Sequence, residues 1–303
     1  MTTVERLQTW KQTGIITEAQ FVNLAALVRG ERFSLFLEIN ALLYLGVISL
    51  VAGLAWTFST HFQKLGDIFI LAVLSSIFAG CLYYCFRRPP GFVLDYLLYL
   101  ACLVLSVELG YIEFRFEWLR DAWDNYLLFS SLVFFGFAYR FNNRFVLSLA
   151  LSSLAGWFGV KVSRFGFMTS DHLRVSALAY AAVISVTGVF LYRQNIKKHF
   201  LDTYLHIAAN VAFIALVSGV GGSNGLMFLA GLLLAAGAGI ALGLRFRKFA
   251  FVVYGVVFGY VGLSMQLLHS ISRFATILTY IVVTGSAVML VVVFLARRFG
   301  KEE

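Results

Sequence analysis

Charge is the first thing this chain is short of. Only 13% of its 303 residues are Asp, Glu, Lys or Arg, while 60% are hydrophobic and the mean hydropathy is +0.85. Soluble domains carry about 25% charged residues. A water-soluble chain of this length and composition could not cover its apolar surface, so that class is excluded. Proline is nearly absent, with two residues, which implies helices that run mostly unbroken. Cysteine is scarce too: Cys81, Cys85 and Cys102 all fall inside apolar stretches, an odd and greasy set that makes neither a disulfide framework nor a zinc site. G-x-S-x-G, H-E-x-x-H, a phosphate-cradling glycine loop and a metal-ligand spacing are all missing, so no enzyme class, cofactor or metal is expected. Alternating polar and apolar residues are lacking as well, which excludes a β-barrel.

What the chain has instead is long uncharged runs. Ile39–Phe58, INALLYLGVISLVAGLAWTF, holds twenty residues without a charge, enough to cross a bilayer core as a helix. About ten such stretches are expected, at 39–59, 66–86, 92–112, 123–140, 144–160, 174–192, 203–221, 225–244, 249–268 and 276–296. The fourth and fifth are short and joined only by Arg140 to Arg144. A shallow hairpin there would sink both arginines to membrane depth, so two true spans are preferred. The fold class read from this pattern is an all-α polytopic membrane bundle over residues 39–298, with a short tail at 299–303.

Residues 1–38 carry charges of both signs and read as a small cytoplasmic head, not a cleavable signal peptide. Val4, Leu7 and Trp10 recur at helical spacing until Gly14, and Thr17 with Gln20 forms a T-x-x-Q capping box opening a second helix. A hairpin this small folds weakly alone, so it is expected to lean on the bilayer, a protein partner or a second copy of the chain.

The net charge of +9 is read as topology, not nucleic-acid binding. Counting Lys and Arg on alternate sides of the ten spans gives 17 against 7. The richer side belongs in the cytoplasm, which places both termini there. Trp56, Trp118, Trp123 and Trp157 then share the outer interface, as an aromatic belt would.

Polar groups inside spans are the candidate sites. Asp95 and Glu108 lie on the third span, His206 and Asn210 on the seventh. Asp95 and His206 share the inner level, where a carboxylate–imidazole pair is geometrically allowed. Glu108 shares the outer level with Lys161, Gln266 and His269. Glu113, Glu117 and Asp121 make an acidic stripe if their segment is helical, interleaved with Arg115 and Arg120. Gly231, Ala235, Gly239 and Gly243 recur every fourth residue on the eighth span, and Gly255 and Gly259 on the ninth, rows that let two helices approach closely.

One resemblance adds to these readings. Leu7, Trp10, Gly14, Ile15, Ile16, Thr17, Glu18 and Gln20 form L-x-x-W-x-x-x-G-I-I-T-E-x-Q, followed by LGVISLVAGLAW from Leu45 to Trp56. Over roughly the first 90 residues the chain resembles the bacterial predicted membrane proteins grouped as domain-of-unknown-function family 2157. The resemblance implies a head joined to a polytopic inner-membrane domain, and carries over no catalytic residue. Two roles follow: a non-catalytic protein that senses, scaffolds or assists assembly, or a transporter of small or lipid-like molecules with a polar site near Glu108 or His206.

Overall fold

A computed structural model describes residues 3–18, 20, 21, 24, 25, 36–89, 91–164, 170–268 and 274–301. Its regular elements are helical throughout, with no strand among the described residues. The helix α1 (Thr3–Gln12) begins the head. It ends in a turn at Gly14, whose φ of +72° is a left-handed conformation that a side chain would disfavour. Beyond the turn, Gln20 Oε1 accepts the Thr17 N–H at 2.9 Å while the Gln20 N–H donates to Thr17 Oγ1 at 3.3 Å, a reciprocal capping box. Lys11 ties the two arms together, 2.5 Å from Glu18 and over the ring of Phe21. Most of the expected second head helix lies outside the described residues.

Ten longer helices follow. They are α2 (Phe36–Leu65), α3 (Asp67–Arg87), α4 (Phe92–Phe116), α5 (Asn125–Phe141), α6 (Arg144–Arg164), α7 (Ser170–Arg193), α8 (Leu201–Gly219), α9 (Gly225–Arg245), α10 (Phe249–Leu268) and α11 (Phe274–Lys301). Eight of them, α3, α4 and α6 to α11, are long and apolar enough to cross a membrane. The apolar part of α2 is shorter, Ala41–Thr57. With 17 residues, α5 reaches about 25 Å at 1.5 Å per residue. These two are the shortest apolar segments of a polytopic bundle. The whole of α2, at 30 residues, extends about 45 Å, longer than the hydrocarbon core is thick.

Local chemistry sets the breaks. Gly66, at φ +76°, turns the chain directly from α2 into α3, where Asp67 complements the positive helix N-terminus. At the far end, Pro89 stops α3 after Arg87, because proline has no backbone N–H to donate and disfavours a helical residue before it. Asn142, at φ +62°, closes α5, and Asn143 opens α6 by accepting the N–H groups of Phe145 and Val146 at 2.9 and 3.0 Å.

Packing follows chain order, as short connections require. The helices meet mainly as antiparallel neighbours, α3 with α4, α5 with α6, α7 with α8 and α9 with α10. The largest core joins α3 to α8 around Leu98, Cys102, Phe134, Leu147 and Phe200. A second, around Phe213, Phe228 and Leu232, unites α8, α9 and α10. Helices α2 and α11 flank the bundle, α2 against α3 and α4 and α11 against α10. The apolar segment of α11 has no residue buried in the structure, and large apolar side chains such as Leu290 (70% exposed) face outward along it. Such a surface belongs against lipid tails.

Candidate functional site

Glu108, Asp95, His206 and Asn210 each have a protein partner, and the partners sort by helix adjacency more than by depth. Glu108, on α4, accepts a short hydrogen bond from the Ser75 hydroxyl of α3. Lys161, expected at its level, instead lies 2.9 Å from Asp124, and Arg164 lies 2.7 Å from the other oxygen of the same carboxylate. Asp124 is fully buried, at the mouth of the α5–α6 hairpin. Burial opposes its ionisation, but Lys161 and Arg164 outweigh that cost and hold the carboxyl below its ordinary range. The sequence pattern passed over Asp124, because one acidic residue beside an apolar run looks like any helix end.

The expected acidic stripe does not form a continuous face. α4 ends at Phe116, Glu117 adopts φ +46°, and a separate short turn covers Arg120–Ala122. Glu113 folds back to accept the Leu119 N–H at 3.0 Å.

Asp95 and His206 sit on different neighbours. The Asn143 side-chain amide donates to Asp95 Oδ1 at 3.0 Å and to the Asp95 carbonyl at 3.2 Å. One buried asparagine therefore caps α6 and clamps the first turn of α4. His206 stacks on Phe251 with ring centroids 4.9 Å apart and planes within 4°, and its Nδ1 lies 3.3 Å from the Tyr254 hydroxyl. Asn210 donates to the His206 carbonyl at 2.8 Å, so its amide is spent on its own helix. Below this group Lys248 pairs with Asp202 at 2.9 Å.

The glycine rows lie along the α9–α10 seam. A Cβ placed on Gly243 would stand 2.6 Å from Val252 Cγ2, and one on Gly255 would stand 2.6 Å from the Ala236 carbonyl oxygen. At Gly239 and Gly259 the corresponding neighbours are ordinary contacts at 3.4 Å, Phe251 O and Ala236 Cβ. Gly231 faces Leu216 of α8 instead, and Ala235 packs beside the second core.

Two clefts open at helix ends. One, of about 480 Å³, lies between Val220–Leu226 and the end of α10 at Met265, Gln266 and Leu268; His269 lies outside the described residues. The other, of about 600 Å³, is bounded by the α3–α4 and α5–α6 turns and lined by Arg88, Gly91, Asp95, Arg140 and Asn142 among others. Neither is lined by Glu108, His206 or Asn210.

Residues 8–147 match the family described as predicted membrane protein, domain-of-unknown-function family 2157. The match runs well past the first 90 residues, from the head to the first turn of α6, and so takes in Asp95, Glu108, Asn143 and the larger cleft. No curated protein and no solved structure matches the chain.

Proposed function

We propose that this multi-pass membrane protein, a relative of the predicted membrane proteins of family 2157 over residues 8–147, works without catalysis. In this reading it is a sensing, scaffolding or assembly protein of the bacterial inner membrane, with both termini cytoplasmic. The head, residues 1–38, is the surface offered to a protein partner or a second copy. One observation carries the choice over transport: Glu108, His206 and Asn210 are each engaged by a neighbouring protein group, Ser75, Tyr254 and the His206 carbonyl, and none of them lines either cleft. A carrier needs a polar site that solvent and substrate reach near mid-depth. The orientation rests on the excess of Lys and Arg at one set of helix ends.

Single cysteines at positions 108, 206 and 210, introduced into a chain freed of its native three, test this in intact cells. A membrane-impermeant maleimide should leave all three unlabelled. Labelling at 206 or 210 that a small solute blocks would replace the scaffold with a transporter.

A further inference from the structure

The cleft between the α3–α4 and α5–α6 turns has features that a packed, purely structural helix end does not require. Two guanidinium groups border it, from Arg88 and Arg140, each exposed and each laid over an aromatic ring. Arg88 lies 5.7 Å from the centre of Tyr84, and Arg140 lies 5.6 Å from the centre of Phe141. Stacking on a ring holds the plane of a guanidinium and leaves its N–H edge free to donate. Among the described residues no carboxylate pairs with either arginine, although Asp95 lines the same cleft. Asp95 is held instead by Asn143, whose amide donates to its Oδ1 and to its carbonyl in the first turn of α4. Gly91, also in the lining, precedes α4 and gives it no side-chain cap, so the helix start that borders this cleft is complemented only by Asp95 in its first turn. Two forked donors and an uncapped helix start bordering one cleft of about 600 Å³ suit an anion with several acceptor oxygens, such as a tetrahedral phosphate, better than any neutral group.

We propose that this cleft binds one anionic phosphate group, supplied by a lipid headgroup or by free phosphate, with Arg88 and Arg140 as its two donors. Asp95 limits the affinity by placing a negative charge beside the bound anion. The site does not depend on the scaffold reading, since it lies at a helix end and not in a transport path. Labelling at position 206 would sink that reading and leave this one standing.

The test uses the full chain in neutral detergent, with melting temperature read against added phosphatidic acid, phosphatidylcholine or inorganic phosphate. Phosphatidic acid should raise the melting temperature and phosphatidylcholine should not. Protection by inorganic phosphate as well would assign the site to the free anion. Arg88→Gln with Arg140→Gln should weaken the effect by roughly tenfold or more, as loss of a charge-assisted hydrogen bond does. Arg193→Gln with Arg245→Gln, at the same end but outside the cleft, should leave it unchanged. Asp95→Asn keeps both arginines and an acceptor for Asn143, and should tighten binding, so the idea stays testable if the double arginine variant does not fold. Equal protection by phosphatidylcholine, no protection by either anion, equal loss in the two double variants, or no gain in Asp95→Asn would each overturn the proposal.

Discussion

Replacing Gly255 by alanine adds one methyl group, and the structure says where it goes. The new Cβ would stand 2.6 Å from the Ala236 carbonyl oxygen and 2.7 Å from Ile240 Cγ1. That is about 0.8 Å short of the 3.4 Å at which ordinary contact begins. The nearer obstacle is backbone, which cannot swing aside as a side-chain tip can, so α9 and α10 must part locally. Overpacking of this kind costs about 1–3 kcal/mol. Alanine is meanwhile the better helix former by up to about 1 kcal/mol, which works in the opposite direction. Gly237, on α9, provides the contrast: nothing lies within 4 Å of its added Cβ, so Gly237→Ala collects the helix gain without the clash. The two variants should therefore move in opposite directions, Gly255→Ala losing about 1–2 kcal/mol net and Gly237→Ala staying level or rising. Unfolding of the detergent-solubilised chain by graded SDS, followed by helical circular dichroism, measures both. If Gly255→Ala proves as stable as Gly237→Ala, the close seam between α9 and α10 is wrong.

Two further perturbations test the polar contacts. At Asp124, removing both cations should destabilise more than Asp124→Asn, and Asp124→Asn more than Lys161→Met or Arg164→Met alone. The double cation variant leaves a buried carboxylate uncompensated, which typically costs about 3–5 kcal/mol, whereas either cation can stand in for the other. Because the folded carboxyl is held below its ordinary pKa, this stabilisation is complete above about pH 4 and fades as pH falls through the lower folded value. Asp124→Asn should erase that acid-side dependence in a melting series. At Asn143, Asn143→Ala removes both the cap of α6 and the tie to Asp95, a loss of about 2–4 kcal/mol. Asn143→Ser keeps a capping oxygen and should fall between wild type and alanine; a melt in which all three coincide would remove the dual role.

The spans were legible because hydrophobicity is carried by each residue independently of its neighbours in space. Uncharged runs such as Ile39–Phe58 and Phe249–Leu268 announce themselves, and chain order then dictates which helices pair. Ends were less legible: α2 continues to Leu65 through HFQKL, since helical backbone does not stop where the apolar stripe does. Polar partnerships were least legible of all. Depth along a helix can be read from sequence, but azimuth and adjacency cannot. Glu108 and Lys161 are expected at one level, yet Lys161 reaches Asp124 because α6 forms a hairpin with α5. His206 shares a level with Asp95, yet α8 packs on α10, and Tyr254 gets there first. Asn143 gave no signal because a lone asparagine between two arginine-bearing ends looks like an ordinary turn residue.

The two ends of the bundle neutralise their cations differently, and the difference bears on what each end can meet. At one end carboxylates hold the basic groups: Asp67 with Arg115 at 2.8 Å, Asp124 with Lys161 and Arg164, Asp171 with Arg174 at 2.5 Å. At the other, Lys248 pairs with Asp202, but Arg87, Arg88, Arg140, Lys198 and Arg245 rest on Tyr83, Tyr84, Phe141, Tyr192 and Phe246; Arg164 and Arg174 at the first end touch rings as well as carboxylates. An ion pair cancels a charge, while a ring only steadies it, so the second end, where one ion pair stands beside five ring-stacked cations, keeps more of its positive field. A field of that sign attracts anionic headgroups and resists transfer across the membrane. The same physics that would hold this end in the cytosol would therefore also fill the cleft at Arg88 and Arg140. A reporter showing the chain ends outside the cell would break the orientation, while the cleft at Arg88 and Arg140 stands or falls by phosphate binding alone.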